Sequence, residues 1–156
     1  MQIPRVLLLP GWLNSGPAHW QSRWERLHGD QRVEQADWDW PRRGDWMARL
    51  DEVLQAQPAP VLLAAHSLGC HLVAAWAGHS RWLDKVRGAL LVAIPDVQRA
   101  DMPPQLHGWR PIPRQRLPFG TTAVLTRTIP SARWRSPSAS RPHGARASSS
   151  PAPAGT

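Results

Sequence analysis

The sequence predicts a three-layer α/β/α domain built around a mostly parallel sheet. Short, continuous apolar runs recur along the chain, as they do in strands that are buried on both faces. Segments with large apolar side chains at helical spacing lie between these runs. Regular alternation of this kind is typical of a parallel sheet that helices cover on both sides. We therefore expect one α/β domain, and no internal repeat indicates a second.

The first predicted strand and helix lie within residues 5–29. Residues 5–9 are an apolar run that ends at Pro10-Gly11, which predicts a central strand. Residues 15–29 predict a helix, because Pro17 suits a helix start and Gly29 suits a helix end. The large side chains at helical spacing within it are Trp20, Trp24 and Leu27.

The next predicted strand has a weak apolar pattern, and the helix predicted after it has a clear apolar face. Residues 32–36 are more polar and predict a strand nearer to an edge of the sheet. Residues 45–58 predict a helix that Asp45 caps and Pro58 ends. Its apolar face is formed by Trp46, Leu50, Val53 and Leu54.

Residues 60–94 predict strand, sharp turn, helix and strand. The apolar run 60–65 leads directly into His66-Ser67-Leu68-Gly69, and small residues dominate the following segment 70–78. Residues 88–94 predict a further buried strand. Residues 121–125 could add one more strand, but from residue 129 onward the composition is Arg, Ser, Ala and Pro without any period. We therefore expect a core over residues 1–119 and a disordered tail over 120–156, because such a composition buries too little apolar surface to offset chain entropy.

The net charge of +8 arises entirely in the last part of the chain. Residues 1–109 hold eleven of the 19 basic residues and all eleven acids, the last of which is Asp101, so this part of the chain is neutral. Eight arginines follow from Arg110 onward with no acid. Such a tail supplies charge for nucleic acid but no aromatic platform or known module, so we disfavour nucleic acid as a partner.

Cysteine content and hydropathy indicate where such a protein works. The single Cys70 excludes an intramolecular disulfide, and no stretch approaches the ~20 apolar residues of a membrane span. We expect a cytoplasmic protein without a membrane partner. Cys70 itself is expected to pack beneath the turn at Ser67 as a small apolar side chain.

The strongest chemical signal is Ala65-His66-Ser67-Leu68-Gly69, which matches the small-x-Ser-x-Gly pattern of a nucleophile elbow. The elbow projects a serine hydroxyl from a tight strand-to-helix turn, and small residues on either side let strand and helix approach. The turn also aims the backbone N–H of Leu68 at the position of a tetrahedral oxyanion. The alternative is an ordinary turn with a serine helix cap. The buried strand before Ser67 and the small-residue helix after it favour the elbow.

A second oxyanion donor is expected from the loop that follows the first strand. Gly11 lies at that strand exit, where its missing side chain lets backbone come close to a substrate carbonyl. The backbone N–H of Trp12 or Leu13 is the candidate. A plain Pro-Gly turn is the alternative, and only the presence of Ser67 supports an oxyanion role for this loop.

Several spaced blocks together resemble the small serine hydrolases of the retinoblastoma-binding-protein and YdeN family. These blocks are Leu9-Pro10-Gly11-Trp12 with His19-Trp20, Asp37-Trp38 with Pro41, Ala65 to Cys70, and Leu91-Val92-Ala93 with Pro95-Asp96-Val97. The resemblance covers residues 5–119. It implies an α/β-hydrolase fold without a large lid, and an esterase of carboxylesterase type that acts on small acyl substrates with no cofactor.

The C-terminal part departs from the pattern of that family. The resemblance implies an acid turn and a Gly-His loop after a further strand, but no Asp or Glu follows Phe119, and His143 is the only histidine there. A serine nucleophile needs a histidine base and a carboxylate that orients it. We therefore expect a C-terminally incomplete fold with impaired activity, and we hypothesise a frameshift near Gly120. A non-catalytic binding protein with the same fold is the alternative.

The other histidines and the cysteine give no clear replacement for the missing groups. His66 should point away from the hydroxyl of Ser67, and His71 and His79 are expected to be surface or capping side chains. His19 and His107 could line a groove, as could Asp96 at the end of a strand. His66, Cys70 and His71 do not have the spacing of a zinc site, so no metal is expected.

Overall fold

The computed structural model describes residues 3–126 and contains a five-stranded, wholly parallel sheet. The strands are β1 (Val6–Leu9), β2 (Gln31–Arg32), β3 (Val61–His66), β4 (Val86–Val92) and β5 (Gly120–Val124), in the spatial order β2-β1-β3-β4-β5. The helices are α1 (Trp20–His28), α2 (Arg43–Gln55) and α3 (Leu68–Ala77), and short 3₁₀ helices cover Leu83–Lys85 and Pro104–Trp109. The α/β class and the parallel sheet are as predicted.

The apolar runs form the centre of the sheet because both of their faces are buried. Leu7 and Leu8 of β1 have no exposed surface, and Leu63 and Ala65 of β3 are equally enclosed. The predicted apolar face of α2 packs against this centre, with Trp46 and its helical neighbours buried. Alternation of apolar runs with an amphipathic helix thus predicts the middle of the molecule well.

Helix α1 differs from the prediction in where it starts and in which face is buried. It begins at Trp20, because the ring of His19 caps it by accepting a hydrogen bond from the N–H of Gln21. It ends as predicted at Gly29, whose φ of 67° is the left-handed conformation that suits glycine. Its buried residues are the polar Gln21 and Ser22, whereas Leu27 is 69% exposed.

Helix α2 begins two residues before the predicted cap. Arg42 is its N-cap and makes no side-chain capping bond, while Asp45 lies in the first turn. A carboxylate in that turn still suits the positive end of the helix dipole. Among the helices of residues 3–126, none has the length and apolar character needed to cross a membrane.

Strand β5 extends the sheet beyond residue 119, where the predicted core ended. It pairs with β4 from Gly88 and Gly120 to Val92 and Val124, one residue earlier at each end than the segment suggested from sequence. All five of its residues are exposed. The remainder of the predicted tail, from residue 127 onward, lies outside the described residues.

Candidate active site

The candidate site lies at the carboxyl edge of the sheet, where loops from three neighbouring strands meet. Ser67 follows β3, which lies between β1 and β4. Gly11 lies in the loop after β1, and Ala93 follows β4. Because the strands are all parallel, these three exits lie at the same edge, which is where ligands of α/β proteins bind.

Ser67 adopts a backbone conformation that side chains rarely tolerate. Its φ is 52° and its ψ is −122°, and it is the residue from which α3 begins. Its N–H donates to the carbonyl of Val92 at 2.9 Å, and its own carbonyl accepts from the N–H of Cys70 at 2.9 Å. A strained conformation of this kind costs on the order of 1–3 kcal/mol and persists only when its surroundings hold it. Here β4 and the first turn of α3 hold the serine.

Two glycines allow backbone to approach the serine closely. A Cβ atom on Gly69 would lie 2.2 Å from the carbonyl oxygen of Leu9, so only glycine lets α3 pack on the end of β1. A Cβ atom on Gly11 would lie 2.9 Å from the Cβ of Ser67 and 3.2 Å from the nitrogen of Leu68. The loop after β1 therefore lies in direct contact with the elbow turn.

The geometry separates the candidate oxyanion donors. Leu68 is the first residue of α3, so its N–H has no acceptor within the helix and lies at the positive end of the helix dipole. The N–H of Leu13 donates to the carbonyl of Trp38 at 3.1 Å, which commits it to the fold. Leu13 is therefore the less suitable of the two candidates in the loop after β1.

The loop after β1 is itself a tight turn with two strained residues. Leu13 and Asn14 have φ values of 66° and 64°, and the N–H of Asn14 donates to the carbonyl of Gly11 at 3.1 Å. The indole N–H of Trp12 donates to the carbonyl of Asp39 at 2.8 Å. The path of the chain past Ser67 is thus fixed by local turn bonds together with contacts from outside the loop.

The hydroxyl of Ser67 makes no hydrogen bond to any other residue between 3 and 126. The ring of His66 contacts a different residue, since its Nδ1 lies 3.1 Å from Nε2 of His19. Because Nδ1 of His19 accepts from the N–H of Gln21, its Nε2 carries the proton and donates to His66. Burial lowers the pKa of both rings, that of His66 to about 4 with a further contribution from the neighbouring His19. Both rings are therefore neutral near pH 7.

Three further histidines of the described chain bond backbone carbonyls away from Ser67. His71 was expected at the surface or in a cap, but it is buried, and its Nε2 donates to the carbonyl of Pro95 at 2.7 Å. Burial lowers its pKa. His79 bonds the carbonyl of Ala75 in the last turn of α3, which is the expected capping role, and the exposed His107 bonds the carbonyl of Met102. The histidine in the tail, His143, lies outside the described residues.

The acid and the thiol expected near Ser67 are Asp96 and Cys70. Asp96 is exposed after β4 and accepts a hydrogen bond from the N–H of Gln98. Cys70 is buried beneath the turn with its thiol 3.4 Å from the carbonyl of Val92, and burial raises its pKa to about 12. Within the part of the chain that the structure describes, no cluster of three or more His, Cys, Asp or Glu side chains could hold a metal ion.

Two polar residues that support the site were not identified from sequence. The amide of Gln21 is fully buried, donates to the carbonyl of Ala64 at 2.9 Å and accepts from the hydroxyl of Ser15 at 2.8 Å. It thereby ties the loop after β1 to β3, three residues before Ser67. Arg32 contacts the same loop from β2. The polarity of both positions was visible, but their partners are distant in sequence, so no local pattern could have found them.

Comparisons with known proteins agree with this fold. Residues 6–140 match the family model described as serine hydrolase, so the match extends past residue 119. Among solved structures, the chain is similar to the crystal structure of a protein from Pectobacterium atrosepticum described as a YdeN-like hydrolase, with 25% sequence identity and a TM-score of 0.62. That similarity covers 76% of this chain and 60% of the other, so this chain spans less than two thirds of the length of the solved protein. No curated protein matches the chain.

Proposed function

We propose that this chain, which belongs to the serine hydrolase family, is an esterase-like enzyme for small acyl esters with Ser67 as its nucleophile. The observation that carries the proposal is the backbone of Ser67, whose positive φ at a strand-to-helix turn is the conformation of a nucleophile elbow. An ordinary helix-capping serine needs no such strain, and its hydroxyl would bond the first turn of the helix. Ser67 makes no such capping bond.

The proposed chemistry follows from the groups around the serine. The hydroxyl oxygen of Ser67 attacks the acyl carbon, its proton passes to solvent water, and the carbonyl oxygen becomes an oxyanion. The backbone N–H groups of Leu68 and Trp12 are proposed to donate to that oxyanion. Collapse then breaks the ester bond, the alcohol leaves with a proton, and water hydrolyses the acyl-serine ester.

The base and the orienting acid limit the expected rate. No histidine between residues 3 and 126 bonds the hydroxyl of Ser67, and His66 is engaged with His19. Without a positioned base, catalysis falls by several orders of magnitude, although oxyanion stabilisation alone retains about 10³-fold acceleration over water. We therefore propose slow acylation rather than rapid turnover. A non-catalytic binding protein is the second candidate, and the unbonded hydroxyl of Ser67 is the observation that favours it.

Labelling with a fluorophosphonate probe tests the proposal. The purified chain should become labelled slowly at Ser67, because the reactive probe bonds a serine hydroxyl that the turn exposes and its phosphonyl oxygen occupies the proposed oxyanion site. Ser67→Ala should abolish labelling. Ser80→Ala is the matched control, since the hydroxyl of Ser80 donates to Asp51 at 2.6 Å instead of facing the site. A folded protein that takes up no probe at Ser67 would favour the binding role.

We also propose that the YdeN-like pattern is interrupted by a frameshift. The register of β5 with β4 continues to Val124, and the family match continues to residue 140. We keep the proposed shift near Gly120, because no Asp or Glu follows Phe119 in the sequence; the pairing of β5 and the family match run past this point and do not locate the shift. Another forward frame of the gene beyond that codon should encode an acid turn and a Gly-His loop. Stop codons in those frames without either motif would contradict this.

The proposed setting is the cytoplasm, with a small acyl ester as the partner and nucleic acid disfavoured. The single cysteine of the sequence is buried, as suits a chain that needs no disulfide. The substrate class itself rests on the family resemblance.

A further inference from the structure

Arg32 is a buried cation whose bonding capacity is fully used. Its side chain is only 9% exposed, and its guanidinium makes five hydrogen bonds. Two of them go to one carboxylate oxygen of Glu25, at 3.2 Å from Nε and 2.9 Å from Nη2. Nη2 also donates to the hydroxyl of Ser22 at 2.6 Å. The negative charge of Glu25 offsets the desolvation cost of burying the guanidinium.

The remaining two bonds reach the loop that passes the candidate nucleophile. Nη1 of Arg32 donates to Oδ1 of Asn14 at 2.8 Å and to the carbonyl of Ser15 at 3.0 Å. Asn14 is one of the two residues with positive φ in this loop, and its N–H closes the turn onto Gly11. A left-handed conformation at Leu13 and Asn14 is costly, so it needs contacts from outside the turn to hold it.

Gly11 connects this turn to Ser67. Its Cα lies so close to the elbow that an added Cβ would lie 2.9 Å from the Cβ of Ser67. A shift of the turn by a few tenths of an ångström therefore alters the contact with the nucleophile directly. The chain of contacts runs from Arg32 through Asn14 to Gly11 and then to Ser67.

We infer that Arg32 is a positioning residue that holds the loop of residues 11–15 so that its backbone N–H faces the reacting carbonyl. The inference rests on the proposed hydrolase function of the site. The planar guanidinium with its five N–H donors is what this role requires. Lysine keeps the charge but cannot reach Asn14, Ser15, Ser22 and Glu25 at once. Arg32→Lys is therefore the informative substitution.

Two readouts on the full chain separate this role from general stability. In Arg32→Lys, amide hydrogen exchange at Leu13 and Asn14 should rise at least about 10-fold, while exchange in β3 and α3 stays unchanged. The maximal rate of fluorophosphonate labelling at Ser67 should fall at least about 10-fold, with the half-saturating probe concentration unchanged. Arg49→Lys is the matched control, because Arg49 bonds Glu34 and Glu52 away from the loop. It should change neither readout.

A second variant keeps the test decisive if Arg32→Lys fails to fold. Asn14→Gly retains the freedom for positive φ and removes the Oδ1 that accepts from Arg32 and from the N–H of Ser15. It should raise exchange at Leu13 and slow labelling by a smaller factor. Exchange and labelling at wild-type values in whichever of these variants folds would overturn the inference. A wild-type chain that never labels would instead refute the proposed hydrolase function, and the exchange measurement would still decide whether Arg32 holds the loop.

Discussion

Gly11→Ala should impair the site far more than the fold. The added methyl group would lie 2.9 Å from the Cβ of Ser67, 3.1 Å from the carbonyl oxygen of His66 and 3.2 Å from the nitrogen of Leu68. Ordinary contacts of a methyl carbon begin near 3.4 Å, so the loop must retreat by about 0.5 Å. Overpacking of this extent costs about 1–3 kcal/mol of unfolding free energy. It also displaces the loop that carries the proposed oxyanion donor, and loss of one such donor lowers rates about 10²- to 10³-fold.

The assay compares the rate of fluorophosphonate labelling with urea unfolding for Gly11→Ala and Gly16→Ala. Gly16 lies further along the same loop, with open space within 4 Å of its added Cβ, so its substitution should leave both labelling and unfolding close to wild type. Gly11→Ala should lose at least about 100-fold in labelling rate while it still unfolds cooperatively. Labelling of Gly11→Ala at the wild-type rate would refute the assigned contact between the loop and the elbow.

Three further perturbations address the fold around the site. Gly69→Ala should lower the unfolding free energy by about 3 kcal/mol or more in urea titrations, because its Cβ would lie 2.2 Å from the backbone oxygen of Leu9; a loss below about 1 kcal/mol would contradict this packing. Stability should be full above about pH 6.5 and should fall as the pH drops toward 4, because the folded state lowers the pKa of His66 to about 4 and also lowers that of His19. His66 contributes at most about 3 kcal/mol to this loss of unfolding free energy, and less in practice because water screens its partly exposed ring. A His66→Gln variant with the same acid sensitivity as the wild type would contradict this role of His66. The Cys70 thiol, with its pKa raised to about 12, should resist iodoacetamide at pH 8 until the chain is unfolded, and rapid alkylation of the native protein would show that it is accessible.

The parts of the fold that were predictable are those whose signal is local. The apolar runs of β1, β3 and β4 and the amphipathic face of α2 depend on burial of neighbouring residues, and all four elements lie within a few residues of their predicted positions. The strand-to-helix turn at Ser67 was predictable for the same reason, since strand, small residues and helix follow one another in sequence. Apolar periodicity in the sequence therefore predicts contacts between residues that are close together along the chain.

The parts that were missed depend on contacts between distant residues. The spacing of Trp20, Trp24 and Leu27 suggested an apolar inner face for α1, yet its inner face is Gln21 and Ser22. Burial of these polar groups is favourable only because Ala64 and Ser15 provide hydrogen-bond partners across the fold. His71 was misjudged for the same reason, because its partner is the carbonyl of Pro95. No period in a sequence reports such pairings.

The order of strands divides the site between two stretches of the gene. The loop after β1, its anchors on α1 and β2, and the elbow after β3 are all encoded before residue 78. On the other side of β3 the sheet continues with β4 and β5. Mutations that rewrite codons beyond β5 therefore leave unchanged the residues of the proposed nucleophile and of its proposed oxyanion donors.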